Sequence, residues 1–181
     1  MLLAMLVTSL LVTIALGSYV LLLAPHSAVN RAFAAFAATM ALWTAKDILF
    51  WVLALPWFTA DAWVATTLLL AVALQLTFLA FAHIFPERAR ISPRGALAAL
   101  APLALFVPLV VAGAPWERAG FEGDRFGIRV TPWMWAYGAY VLALFGAGMW
   151  TLARKRGAWR GTLEGKQLGV VLALAGGAGT L

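Results

Sequence analysis

The chain has 181 residues, of which 64% are hydrophobic and only 11% charged, with a formal net charge of +6 and a mean hydropathy of +0.93. Soluble domains carry roughly 45–50% apolar and about 25% charged residues. The composition therefore excludes a soluble enzyme and a nucleic-acid-binding module, and the absence of cysteine excludes a disulfide scaffold. What remains is an all-α, polytopic membrane helix bundle, its first partner the lipid bilayer, with five complete transmembrane helices plus a partial sixth.

The first apolar run, residues 2–24, is long enough to span, and no Lys or Arg precedes it, so it reads as a retained first helix and not a signal peptide. Pro25-His26-Ser27 breaks it. A second helix is predicted over 32–55, ended by Pro56, with Lys46 and Asp47 inside it. Thr59 or Asp61 is the expected N-cap of a third helix over 62–85, because either side chain can accept from free backbone N–H groups. The fourth helix, 95–114, contains Pro102 and Pro108, for which a kink is the expected cost. Residues 115–131 form the longest polar stretch, with a short strand at 126–130 and a turn at Glu122-Gly123-Asp124. A fifth helix covers 132–153. The last apolar run, 168–181, is shorter than the roughly 17–25 residues of a span, so the chain is expected to break off within helix six.

Charge sets the orientation. Arg31, Arg88, Arg90, Arg94, Arg154, Lys155, Arg156, Arg160 and Lys166 share one side of this topology, against Arg118, Arg125 and Arg129 on the other. The positive-inside rule then puts the N-terminus outside and Arg154-Lys155-Arg156 at the inner interface. Trp57, Trp63, Trp116, Trp133 and Trp135 near the outer boundary, and Trp150 and Trp159 near the inner one, read as interfacial anchors.

Several stretches resemble the N-terminal seven-helix membrane region of bacterial sensor histidine kinases. They are Asn30-Arg31-Ala32-Phe33-Ala34 through Ala41-Leu42-Trp43, Phe81-Ala82-His83-Ile84-Phe85-Pro86-Glu87-Arg88, Thr131-Pro132-Trp133-Met134-Trp135-Ala136-Tyr137, and Gly165-Lys166-Gln167-Leu168. The resemblance implies a sensory input domain in the bacterial inner (cytoplasmic) membrane, a homodimer, and a cytosolic kinase module in the same full-length chain. The phosphoacceptor helix and Gly-rich nucleotide-binding segments of such kinases are missing from these residues, so no catalytic residue and no kinase activity are expected of this stretch alone. Lys46-Asp47 departs from the family pattern, and no family role carries over to it.

A charge at the centre of a membrane helix costs about 2.5–3.5 kcal/mol on insertion scales, so Lys46 and Asp47 are expected to face protein or water. Adjacent residues on a helix point about 100° apart, so further partners are expected. Trp43 and Phe50 share the face of Lys46 and offer cation–π contacts. Thr8, Ser9 and Thr13 on helix one, Thr66 and Thr67 on helix three, and Tyr140 on helix five are the polar candidates at similar depth. Lys46, Asp47, Tyr140 and Thr13 thus form either a ligand or proton site or an interhelical packing cluster. Gln75 and Thr77 are expected to make interhelical hydrogen bonds. His83 is expected at the inner interface, where it is either a headgroup-level residue or a pH sensor. Gly169, Ala173 and Gly177 form a small-residue packing stripe. Residues 115–131 are either an extracellular lid or a solvated connector.

His26 and His83 lack metal-ligand spacing, and no pattern calls for a cofactor. The leading expectation is the sensory input domain, relaying a ligand, lipid or membrane-state signal. The alternative is a fragment of a small-solute or proton-coupled membrane transporter, with Lys46 and Asp47 in its path. Transporters carry repeated interrupted helices at matching positions, whereas here the prolines cluster in helix four.

Overall fold

The computed structural model describes residues 2–86, 91–123, 125–158 and 166. Its elements in chain order are α1 (Leu2–Leu23), α2 (Ala28–Asp47) running into a π turn (Ile48–Val52), α3 (Ala60–Ile84), α4 (Pro93–Leu100), α5 (Leu103–Val111), β1 (Trp116–Glu122), β2 (Arg125–Val130) and α6 (Pro132–Ala158). Among the described residues five helices are long and apolar enough to cross a membrane: Leu3–Leu23, Ala28–Val52, Ala60–Ile84, Pro93–Val111 and Pro132–Arg156. The predicted sixth run, with Gly169, Ala173 and Gly177, lies outside the described residues, as do Arg88, Arg90, Trp159 and Arg160.

Local chemistry explains the boundaries. The Ser27 hydroxyl accepts from the Asn30 amide, Thr59 from Ala62 and Ser92 from Gly95, each satisfying an N–H that the first turn leaves free. Thr59, and not Asp61, is therefore the cap of α3. The Asn30 side-chain amide donates to the Val20 carbonyl at 2.6 Å and ties the start of α2 to the end of α1.

Two expectations need correction. The second helix does not continue as α-helix to residue 55. It widens into the π turn, where Leu53 N–H donates to the Ile48 carbonyl, and it is closed by Ala54 at φ 45°. The fourth helix is interrupted, though its backbone stays helical: α4 stops at Leu100 and α5 starts at Leu103, with Ala101 and Pro102 in right-handed helical conformation between them. Pro102 has no N–H to continue the ladder. At that break the Tyr140 hydroxyl donates to the Ala99 carbonyl at 2.5 Å, as neighbouring membrane helices do for freed backbone groups. The polar stretch forms a full hairpin, with β1 and β2 antiparallel and Phe121 opposite Phe126.

α3 is the centre of the bundle. It runs antiparallel to α2, with Phe33 against Phe81 and Phe36 against Phe78 at centroid distances of 6.0 Å. It runs parallel to α6, with Phe78 against Phe145 and the Tyr137 hydroxyl donating to the Leu68 carbonyl. The main core joins Val64, Leu68 and Val72 of α3 to Phe106 and Val110 of α5, Tyr137 and Leu144 of α6, and Trp116 of β1. A second cluster, Phe78, Ala82 and Leu152, lies toward the other end. Outward-facing Leu22, Leu42, Leu97 and Leu142 are exposed, the pattern that suits hydrocarbon and not water. The hairpin lies at one end of the bundle and the Arg154-Lys155-Arg156 run at the other.

Glycine matters at the α3–α6 contact. A Cβ on Gly148 would lie 2.6 Å from Phe78 Cε1 and 2.8 Å from its Cδ1, whereas one on Gly146 would meet nothing within 4 Å. Gly148→Ala is expected to destabilise the detergent-solubilised protein by about 1–3 kcal/mol through overpacking. Gly146→Ala should leave the apparent Tm unchanged or raised.

Candidate functional site

The least ordinary residue is Lys46. It is 3% exposed, near the end of α2 that faces the hairpin. Its Nζ lies 2.5 Å from Asp47 Oδ1 and 4.6 Å from the ring centroids of both Trp43 and Trp63. Asp47 Oδ1 also accepts from Trp63 Nε1 at 3.0 Å. One carboxylate thus neutralises the ammonium and fixes the indole that covers it. Each part answers a cost: the counter-charge offsets desolvation, and the indole faces supply the electrostatic attraction of an aromatic quadrupole.

Trp63 also anchors an aromatic layer. Phe50 stacks on it at 5.2 Å, Trp51 meets it edge-on at 5.6 Å, and Phe126 of the hairpin meets it edge-on at 5.3 Å. Phe121 completes the layer against Phe126 and Trp51. Phe50 and Trp51 lie in the π turn immediately after the charged pair, and both reach this layer. π turns of this kind recur at functional sites. A second indole–carboxylate bond lies beside the first: Trp116 Nε1 of β1 donates to Asp61 Oδ1 at 2.8 Å. The hairpin is therefore pinned to the first turn of α3 by a buried Trp and a carboxylate, where the helix dipole favours negative charge.

The candidate partners resolve differently from the sequence expectation. Trp43 contacts Lys46 as expected, but Phe50 stacks on Trp63 instead. Thr66 and Thr67 donate to the carbonyls of Ala62 and Trp63 in their own helix. Tyr140 is occupied at the α4–α5 break. Thr13 lines a groove with Gly17, Ala38 and Ala41. The Gly17–Ala37 approach puts it level with Ala41, about 7 Å short of Lys46 along α2. Lys46 and Asp47 come together; Tyr140 and Thr13 do not join them. Thr77 donates to Ala73 and Leu74 of its own helix, so the expected interhelical bond is not made, and Gln75 makes none among the described residues. Trp63 and Trp116, read as interfacial anchors, are instead inward-turned members of the site. The usable signal was the helix–turn–helix geometry, which places Asp47 and Trp63 at nearly the same level.

At the opposite end, Lys155 of α6 donates to the carbonyls of Ala82, His83 and Phe85 at 3.1, 2.6 and 2.7 Å. It thereby caps the C-terminus of α3, where free carbonyls and the dipole favour a cation. Arg154 and Arg156 on either side are exposed. His83 Nδ1 lies 3.2 Å from the Leu79 carbonyl, and the ring lines an apolar cleft of about 190 Å³ between α3 and α4 with Leu79, Ser92 and Ala99. Among the described residues no group of three or more His, Cys, Asp or Glu is placed to hold a metal.

The chain matches no protein-family model, and no curated protein and no solved structure is significantly similar to it.

Two stability measurements check this geometry. Asp47→Ala leaves a buried ammonium without its counter-ion and is expected to cost about 3 kcal/mol, the low end for a broken buried pair because the carboxylate is one-fifth exposed. The Lys46→Met/Asp47→Asn double variant should recover most of that loss in thermal unfolding. Lys155→Met should cost about 1–2 kcal/mol and speed hydrogen exchange in the last turn of α3, with exchange at the first turn unchanged.

Proposed function

We propose that this chain is the membrane-embedded input domain of a bacterial signalling histidine kinase. It would lie in the inner membrane with the hairpin end outside, and relay a ligand, lipid or membrane-state change to a cytosolic module of the full-length protein. The observation that carries the reading is the buried Lys46–Asp47–Trp63 cluster lying directly beneath the hairpin. A change in the hairpin's seating acts on Trp63, hence on α3, and α3 is joined at its other end to α6 through Lys155. The basic residues Arg31, Arg94, Arg154, Lys155 and Arg156 at the end away from the hairpin support this orientation. The resemblance to sensor kinase membrane regions supplies the downstream partner and the homodimer.

Transport through this bundle needs a polar path from Lys46 to the opposite end. Among the described residues the buried positions of α3 along that way, Val64, Leu68, Val72, Phe78, Phe81 and Ala82, are all apolar, and the buried hydroxyls of Thr39 and Thr44 on α2 are spent on carbonyls of their own helix, which favours relay over permeation.

The test uses the full-length protein in proteoliposomes, with autophosphorylation and internal pH followed in parallel. Lys46→Met is expected to change the autophosphorylation rate about fivefold or more, the scale of a typical coupling free energy, while wild type and variant leave an imposed proton gradient intact. A gradient that collapses with wild type and survives with Lys46→Met overturns the proposal in favour of transport.

A further inference from the structure

The two faces of the hairpin are chemically unlike. Phe121 and Phe126 pack on the aromatic layer, so alternation places Arg118, Gly120 and Glu122 of β1, with Arg125, Gly127 and Arg129 of β2, on the other face. There Arg118 stands directly opposite Arg129, and Gly120 directly opposite Gly127. Like charges facing each other across a ladder are destabilising, and glycine weakens a strand. The fold requires neither choice. Neither glycine has a positive φ, and a Cβ on either would meet nothing within 4 Å. The carboxylates nearby pair with the arginines only at long range and in the open: Arg118 is 3.8 Å from Glu122 and Arg129 is 4.0 Å from Glu117, with both guanidinium side chains about three-quarters exposed, where such pairs contribute little. Between them lies a shallow cavity of about 280 Å³, floored by the glycine pair and lined by Arg118, Glu122, Ile128 and Arg129.

We infer that this face binds an anionic group, a carboxylate or a phosphate, clamped between the guanidinium groups of Arg118 and Arg129 above the glycine floor. A bidentate fork from each arginine matches either anion. The bound charge relieves the Arg–Arg repulsion, and the two glycines leave the space that side chains would fill. Glu122 sets a limit on the ligand: its carboxylate disfavours further negative charge on its side, so a compact anion fits better than an extended polyanion. The Phe121 and Phe126 rings on the reverse face carry the event to Trp63. The site stands on the hairpin alone, so binding and signalling output fail separately.

The experiment places the full-length protein in phosphatidylcholine nanodiscs and titrates sodium phosphate and sodium succinate as probes, reading tryptophan fluorescence and heat. A second arm replaces part of the lipid with phosphatidylglycerol and omits the soluble anion. A saturable response in the first arm, weakened about tenfold or more in Arg118→Gln/Arg129→Gln, supports a soluble anion. The same loss seen only in the second arm assigns the anionic group to a lipid headgroup. Should the double variant fail to fold, Gly127→Ala, whose Cβ on the floor meets nothing within 4 Å, takes its place with a loss in the same direction. No saturable response in either arm, or a response that the variants leave undiminished, overturns the inference.

Discussion

An ammonium group removed from water in an apolar bundle has few stable arrangements, and the hairpin end is organised around one of them. Lys46 needs a counter-charge, and Asp47 supplies it from the next position in the chain. That carboxylate would be under-satisfied with a single partner, and the Trp63 indole N–H provides a second from across the α2–α3 contact. The same indole turns its face to the ammonium. With Trp63 fixed in this way, the rings of Phe50, Trp51 and Phe126 have a defined surface to pack on, and the hairpin has one seat. Remove the charge pair and the aromatic layer loses the element that orients it.

α3 is held at both ends by neighbours of different chemistry. At the hairpin end, carboxylates accept from indoles, Asp47 from Trp63 and Asp61 from Trp116. At the other end, an ammonium from α6 satisfies the carbonyls that the helix leaves open. Between them the contacts are apolar and aromatic. Directional bonds at the ends fix where the helix sits, and packing along its length joins the two ends. A binding event on the outer face of the hairpin would enter this system through Phe121 and Phe126, on the reverse face of the same two strands.

Much of the architecture was legible in the sequence because a bilayer leaves so few choices. Continuous apolar runs, proline punctuation and the Thr59 or Asp61 cap before the third helix marked five spans with boundaries a few residues off. The π turn was not legible, and neither was the interruption at Ala101-Pro102, where the Tyr140 hydroxyl from α6 takes the Ala99 carbonyl. The charged pair was identified, but its partners were not. Threonine was expected to reach across helices; in a helix its hydroxyl finds the carbonyl four residues back at no conformational cost, and Thr39, Thr44, Thr66, Thr67 and Thr77 all do so. Trp63 and Trp116 were taken for interfacial anchors because composition cannot tell an outward indole from an inward one. Arg118 and Arg129 were visible only as charges that, with Arg125, cancel against Glu117, Glu122 and Asp124. Their opposition over two glycines is a matter of strand register, which the 115–131 stretch does not reveal until β1 and β2 are paired.

The Phe78 ring resting on Gly148 also limits how the bundle can move. A ring seated against bare backbone works as a detent: sliding α3 along α6 by one turn would bring the ring up against the side chain of Leu152 or Leu144 in place of the gap. Small tilts and rotations about that point keep the ring in its notch, with Gly148 as the fulcrum. A displacement at the hairpin end would then reach the Lys155 end as a lever stroke of opposite sense, and not as a piston stroke along the membrane normal.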